Sequence, residues 1–296
     1  MKQNTKQQNI KIQPTQNHGS SIFSTFELIK AALKEDMPQG DITTDSLGVK
    51  PKHSEAILKA KADIVLSGSA LFEQTMTFLE PNAKIKWLFN DGDLVYKGQN
   101  ICVVEGDLIQ ILKAERVALN FLGRLSGIAT LTRQFVKAVE GTKTKILDTR
   151  KTTPLFRDLE KKAVAHGGGT NHRFNLSDAI MVKDNHITLM GGITAAVERI
   201  RRHCDLPVEV EASNLEQVKE CVKLNVQRIL LDNMSNATLT EVLPHIPAHI
   251  QTEASGNMTL DRVRSVAEIG VDFISVGALT HSAPVADVSL SFDWGE

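Results

Sequence analysis

The chain has 296 residues, with 42% hydrophobic and 23% charged side chains, ordinary globular values that exclude collagen-like, coiled-coil and wholly disordered chains. Its length suggests two domains, or one large α/β unit with an appendage. The 34 basic and 35 acidic residues leave a formal net charge of −1, which argues against a nucleic-acid partner, because neutralising phosphates usually takes a basic excess.

Residues 1–20 are rich in Gln, Asn and Lys, lack the apolar stretch of a secretory signal, and read as a disordered tail. From Ser24 onward Phe26, Ile29 and Leu33 recur at helical spacing, and Pro38 and Gly40 end the run. Short strand-like runs follow. Between Asn90 and Asp107 two turns flank alternating apolar residues, a pattern shared by half of a biotinyl or lipoyl carrier domain and by a small β-layer. The β-layer is favoured, because no second half with a modifiable lysine appears. The apolar-periodic stretch from Ile111 to Val139 then reads as two helices, broken at Gly123 and Ser126-Gly127. No apolar run approaches the roughly 20 residues that cross a bilayer, so no membrane segment is expected. Cys102, Cys204 and Cys221 fall at unrelated spacings, which suggests neither a disulfide framework nor structural zinc and fits a cytoplasmic protein.

Beyond Gly141 the rhythm changes. Six short apolar runs end in polar residues, around 146–152, 179–186, 207–213, 228–234, 250–256 and 273–279. Glu211 to Asp232 and Asp232 to Glu253 are each 21 residues, and Glu253 to Gly277 is 24, the length of one strand, one helix and two loops. The segments between them look helical: Ser213-x-x-Glu216 reads as a capping box before Leu215, Val218, Cys221 and Val222, and Leu260, Val263, Val266 and Ala267 form another apolar face. This alternation implies a parallel sheet with helices outside it. With six or seven units, an open, incomplete α/β barrel is expected, with its ligand at the carboxyl ends of the strands. Those ends supply Asp148, Arg150, Lys151, Lys183, Asp184, Glu211, Asp232, Glu253 and Ser255. A rim with cations on one side and carboxylates on the other suits an anionic substrate held partly through a divalent metal. P-loop, dinucleotide and nucleophile-elbow signatures are absent. His166, His172 and His186 lack a tight metal-ligand spacing.

Several segments carry a further signal: Glu35 to Leu47, Glu115 to Thr130, Asp148 to Arg157, His166 to Ile187, and the runs VEVEAS, LLDN, EASGN and SVGALTHSAP. From about Phe26 to Phe292 the chain resembles the quinolinate phosphoribosyltransferases. The resemblance implies an incomplete barrel of the type II phosphoribosyltransferase kind over residues 121–284 and an N-terminal α/β sandwich domain over 21–120, which a strand from 285–296 rejoins. It implies transfer of phosphoribose from phosphoribosyl pyrophosphate to quinolinate with decarboxylation, giving nicotinate mononucleotide in NAD synthesis.

By the same resemblance, Arg150, Arg173 and Lys183 surround the pyridine diacid, with Thr149, Lys151 and His172 beside them, and Lys151 or Lys183 assists decarboxylation. Glu211 and Asp232 hold ribose and Mg2+ and face the developing positive charge at the anomeric carbon. Ser255, Gly256 and Asn257, with Gly277, Ala278 and Leu279, grip the 5′-phosphate through their backbones. Asn257 stands where glycine is common, a residue that also tolerates positive φ. Arg116 reaches into the neighbouring subunit's site, which makes a homodimer the working unit; from the residue alone, a helix-surface ion pair with Glu115 or Glu140 is the better reading. Two other functions fit parts of the pattern: a phosphoribosyltransferase acting on nicotinate or another anionic heterocycle, and a non-catalytic anion-binding or carrier-like protein.

Overall fold

A computed structural model describes residues 24–292; the expected tail, 1–20, and the last residues of the expected returning strand lie outside them. In chain order the elements are α1 (Thr25–Asp36), α2 (Ile42–Leu47), β1 (His53–Ala60), β2 (Ile64–Val65), α3 (Ser69–Leu79), β3 (Lys84–Trp87), β4 (Leu94–Val95), β5 (Asn100–Asp107), α4 (Leu108–Ala138), β6 (Lys145–Leu147), α5 (Arg157–His166), β7 (Ile180–Val182), α6 (Asp184–Met190), α7 (Ile193–Arg201), β8 (Val208–Ala212), α8 (Leu215–Lys223), β9 (Arg228–Asp232), α9 (Asn236–Val242), β10 (Gln251–Ser255), α10 (Leu260–Ile269), β11 (Phe273–Ser275), α11 (Ala278–His281) and β12 (Val288–Phe292). The described residues form two compact units, one made of residues 138–150 and 172–276, the other of 24–137, 151–171 and 277–292.

In the second of these units β12, β1, β5 and β3 form an antiparallel sheet, with Leu58 opposite Leu290. The inward residues Ala56, Leu58 and Ala60 share one core with Phe72 and Met76 of α3 and with Ile111, Ala118 and Leu122 of α4. Burial of these side chains, at about 25 cal/mol per Å², is the main force joining sheet and helices. The turns at Gly92 and Gly98 shape a short β2–β4 pair, the β-layer expected from the sequence.

The expected break in the long helix is absent: α4 runs unbroken for 31 residues, and residue 120, the expected domain boundary, lies inside it. Gly123 and Gly127 serve close packing instead. A Cβ on Gly127 would stand 1.9 Å from the Pro284 carbonyl oxygen, and one on Gly123 would meet Val285 at 2.9 Å. The roughly 1 kcal/mol that each glycine costs a helix is offset by this backbone approach.

The other unit holds the six strands expected from the sequence. All six are parallel, in the order β6-β11-β10-β9-β8-β7, with helices between them. Ladder pairing among the described residues stops at β6 and β7, so the sheet is open. The expected capping box of α8 is shifted by one residue. Asn214 is the N-cap and accepts from Gln217 N–H at 3.0 Å, while the Gln217 side chain reaches back to Ser213 N–H at 2.8 Å.

Candidate active site

Strand alternation sorts the site. In β8 Val208, Val210 and Ala212 are fully buried on one face, leaving Glu209 and Glu211 on the other; in β9 Ile229 and Leu231 leave Arg228, Leu230 and Asp232; in β10 Thr252 and Ala254 leave Gln251, Glu253 and Ser255. Register places Glu209 and Gln251 beside Arg228, Glu211 and Glu253 beside Leu230, and Ser255 beside Asp232. A parallel strand between helix layers would ordinarily be apolar on both faces. These strands carry charged and polar residues on one face, interrupted only by Leu230.

Three charged residues on this face form one cluster with His172. His172 Nε2 lies 3.4 Å from Glu209 and 3.3 Å from Glu253, and Arg228 reaches Glu253 at 3.2 Å. Arg228 also donates twice to Gln251, at 3.2 and 3.0 Å, and its guanidinium sits 4.3 Å from the Phe273 ring centroid. Glu253 is fully buried, so the rim position expected for it is corrected to the interior, two residues before its strand ends. Burial opposes charge on His172, but hydrogen bonds and charge from Glu209 and Glu253 outweigh it and raise its pKa to about 9. Arg173 N–H points at His172 Nδ1 at 2.6 Å, which favours the neutral ring. That single neutral bond, about 1 kcal/mol, is the smaller effect. Burial likewise works against charge on Glu253, yet His172 and Arg228 hold its pKa low. Two cations then balance two anions. The ligand atoms of His172, Glu209 and Glu253 lie within 4.8 Å of one another, but Arg228 and His172 already supply the compensating positive charge.

Above this layer stand the residues that the sequence singled out. Asp148, fully buried just after β6, accepts from His172 N–H at 2.8 Å, which ties the turn bearing Thr149 and Arg150 to that bearing His172 and Arg173. Arg173 donates to the Ala179 carbonyl at 3.0 Å. Its pKa is lowered by burial and then by the charge of Arg150, while Glu209 and Asp178 oppose that fall. Lys183, after β7, pairs with Glu211 at 3.0 Å. Asp232 ends β9 and accepts from Asn233 Nδ2 at 2.7 Å. Ser255 ends β10, and Gly256 and Asn257 follow at φ +91° and +51°. Gly256 is obligatory: a Cβ there would stand 2.0 Å from Asn233 Oδ1. Asn257 takes the left-handed conformation that asparagine tolerates. Glu211 and Asp232 offer oxygen donors of the hard kind that Mg2+ takes, an ion usually held by one or two carboxylates plus substrate phosphates and water.

The other unit carries the remaining residues. Arg116 is exposed on α4 and Lys151 is exposed. Gly277 precedes the short α11, Ala278 begins it, and Leu279 is fully buried, so only the main chain of Leu279 is available to a ligand. Burial raises the Glu115 pKa, and the neighbouring Arg116 charge opposes that rise. The sequence reading missed Glu209 and Arg228. The signal was present in V-E-V-E, where charge recurs every second residue, and in the two charged ends of R-I-L-L-D, both in strands that should be apolar.

Two family models cover most of the chain: the quinolinate phosphoribosyl transferase N-terminal domain over residues 41–126 and its C-terminal domain over 128–291. The chain is 39% identical over 311 residues to a Nicotiana tabacum protein named quinolinate phosphoribosyltransferase [decarboxylating] 2b, mitochondrial, covering 98% of this chain and 87% of that one. It is 39% identical over 266 residues to a Bacillus subtilis protein named probable nicotinate-nucleotide pyrophosphorylase [carboxylating], covering 89% and 92%. The crystal structure of nicotinate-nucleotide pyrophosphorylase from Ehrlichia chaffeensis superposes with a TM-score of 0.88 at 38% identity, covering 92% of this chain and all of that one.

Proposed function

The chain belongs to the quinolinate phosphoribosyltransferase family, and we propose from its site how it carries out that family's reaction, the decarboxylating transfer of phosphoribose to quinolinate. The observation that carries the reading is the His172 N–H bond to Asp148, which holds the turns bearing Arg150 and Arg173 together, close enough that the Arg150 charge lowers the Arg173 pKa. Such a pair suits a dianion, because guanidinium matches carboxylate in two-point contact. Lys183 exchanges Glu211 for substrate. His172 holds the turn beneath, with Thr149 and Lys151 flanking.

The pyridine nitrogen bonds to the anomeric carbon as the carbon–oxygen bond to pyrophosphate breaks, and pyrophosphate leaves with that electron pair. Glu211 and Asp232 stabilise the positive charge that peaks between these events, an interaction stronger in the transition state than in the ground state. Glu211 and Asp232 would hold Mg2+, which would help neutralise the departing pyrophosphate. The quaternised nitrogen then accepts the electron density released as the adjacent carboxylate departs as CO2, and the ring carbon takes a proton from the site, with Lys151 or Lys183 as donor. Backbone N–H groups of Ser255, Gly256, Asn257, Gly277, Ala278 and Leu279 hold the 5′-phosphate.

The working unit is a homodimer in which Arg116 serves the partner's site. In support, Arg116 lines an open cleft with residues 36–44, where Ile42 is 72% exposed, apolar surface suited to a second copy. No described helix is long and apolar enough to cross a membrane. A cytoplasmic setting is supported by three buried, free cysteines. Glu211→Ala and Asp232→Ala should each lower kcat by about 100-fold or more with the fold intact; full activity in either folded variant removes the assigned site.

A further inference from the structure

Arg124 and Glu160 form an ion pair that the reaction above does not use, in the unit holding Lys151 and Gly277–Leu279. Glu160, on α5, is fully buried. Its Oε1 accepts from Arg124 Nε at 3.2 Å, from Arg124 Nη2 at 2.8 Å and from Thr153 Oγ1 at 2.8 Å; its Oε2 accepts from Thr153 N–H at 3.1 Å. Arg124, on α4, also donates to the carbonyls of Thr280 and of Ala283, the latter at 3.2 Å. One pair therefore holds the main chain of two turns that are distant in sequence.

The two turns also touch directly. Thr280 Oγ1 donates to the Lys151 carbonyl at 2.8 Å, and a Cβ on Gly277 would stand 3.1 Å from Lys151 Cδ. The first turn is strained. Phe156 N–H closes on the Thr153 carbonyl at 3.1 Å, Pro154 occupies the second position, and Leu155 adopts φ +66° at the third, where glycine or asparagine is the usual choice. A leucine there costs on the order of 1 kcal/mol or more and persists only where the surroundings over-determine it. A buried ion pair contributes little net stability compared with apolar residues of equal volume, so its use here calls for a role in geometry.

We propose that Arg124 and Glu160 are a positioning pair that locks the Lys151 turn against the Gly277–Leu279 turn, and so holds Lys151 in register with the backbone that grips the 5′-phosphate. The inference rests on the reading above, in which the first turn flanks the acid and the second grips the 5′-phosphate. Loosening the pair spoils alignment more than binding, and misplacement by about 1 Å can cost about 100-fold in rate.

The test uses the full chain with magnesium, phosphoribosyl pyrophosphate and quinolinate. Glu160→Gln keeps volume but turns an NH2 toward the Thr153 N–H, and it should lower kcat by about 100-fold while each KM stays within about threefold of wild type. Thr153→Val deletes one donor at an exposed residue whose loss leaves the fold intact, and it should lower kcat by about tenfold. Both effects are read per correctly folded molecule, from far-ultraviolet circular dichroism and hydrodynamic size. Wild-type kcat in folded Thr153→Val, or a folded Glu160→Gln that loses only substrate affinity, overturns the proposal; if Glu160→Gln does not fold, Thr153→Val decides alone. Absence of turnover in the wild type defeats the functional reading itself, whereas wild-type turnover with unaltered variants defeats only this inference.

Discussion

Glu253→Gln removes one of two anions from a buried cluster of four charges while keeping its volume. In the wild type Glu253 meets both His172, at 3.3 Å, and Arg228, at 3.2 Å. His172 has its pKa raised from 6.5 to about 9. A group whose pKa is raised on folding adds stability that is complete below its unfolded value, here 6.5, and is lost as pH rises through its folded value. At about 1.4 kcal/mol per pH unit, that difference is worth about 3 kcal/mol. With roughly 2–4 °C of Tm per kcal/mol for chains near this size, this group alone should lower the wild-type Tm by about 6–12 °C between pH 6.5 and 9.5. In Glu253→Gln the Tm at pH 6.5 should already be lower by a similar amount, because breaking a buried pair costs about 3–5 kcal/mol, and the further fall toward pH 9.5 should shrink by at least half. Calorimetric melts of both proteins across that range make the comparison. Parallel pH profiles in the two proteins refute the argument that these carboxylates hold His172 charged.

Other substitutions probe separate links. Gly127→Ala gains about 1 kcal/mol of helix propensity but sets its Cβ 1.9 Å from the Pro284 oxygen, so a net loss of about 1–3 kcal/mol is expected in denaturant unfolding; a gain in stability refutes the packing role given to that glycine. Gly256→Ala places a Cβ 2.0 Å from Asn233 at φ +91° and should raise KM for phosphoribosyl pyrophosphate by at least about tenfold, with the KM for quinolinate nearly unchanged; equal effects on both substrates count against the phosphate loop. Arg116→Ala mixed with Lys183→Ala should recover part of the lost activity, since a hybrid dimer holds one intact site; no rescue, with subunit exchange demonstrated by mass, rules out the crossed arginine.

The barrel was legible because its signal is periodic. Six apolar runs spaced by about one strand plus one helix could only be a parallel sheet, and all six strands formed where the runs lie. The α1 start at Ser24 was equally readable, since Ser24 accepts from Glu27 N–H and Glu27 reaches back to Ser24. The long helix was misread for a tertiary reason: Gly123 and Gly127 look like breakers by propensity, and only the chain at 284–286 shows that they clear space for a neighbour. Glu253 was placed on the rim because its strand was taken to end at the polar residue, whereas the strand continues to Ser255. Glu209 and Arg228 stayed hidden because nothing local says that a strand's charged face looks into a barrel. The Arg124–Glu160 pair bridges segments 36 residues apart and leaves no periodic trace at all.

The central claim is the coupling of phosphoribose transfer to loss of the carboxylate beside the ring nitrogen. It is tested most directly by supplying the chain with magnesium, phosphoribosyl pyrophosphate and quinolinate labelled in that carboxylate, in parallel with nicotinate as the competing acceptor. Labelled CO2 is expected in equal amount to nicotinate mononucleotide and pyrophosphate, with no nucleotide from nicotinate, which offers one carboxylate to Arg150 and Arg173. Nucleotide formed from nicotinate with quinolinate left intact would contradict it.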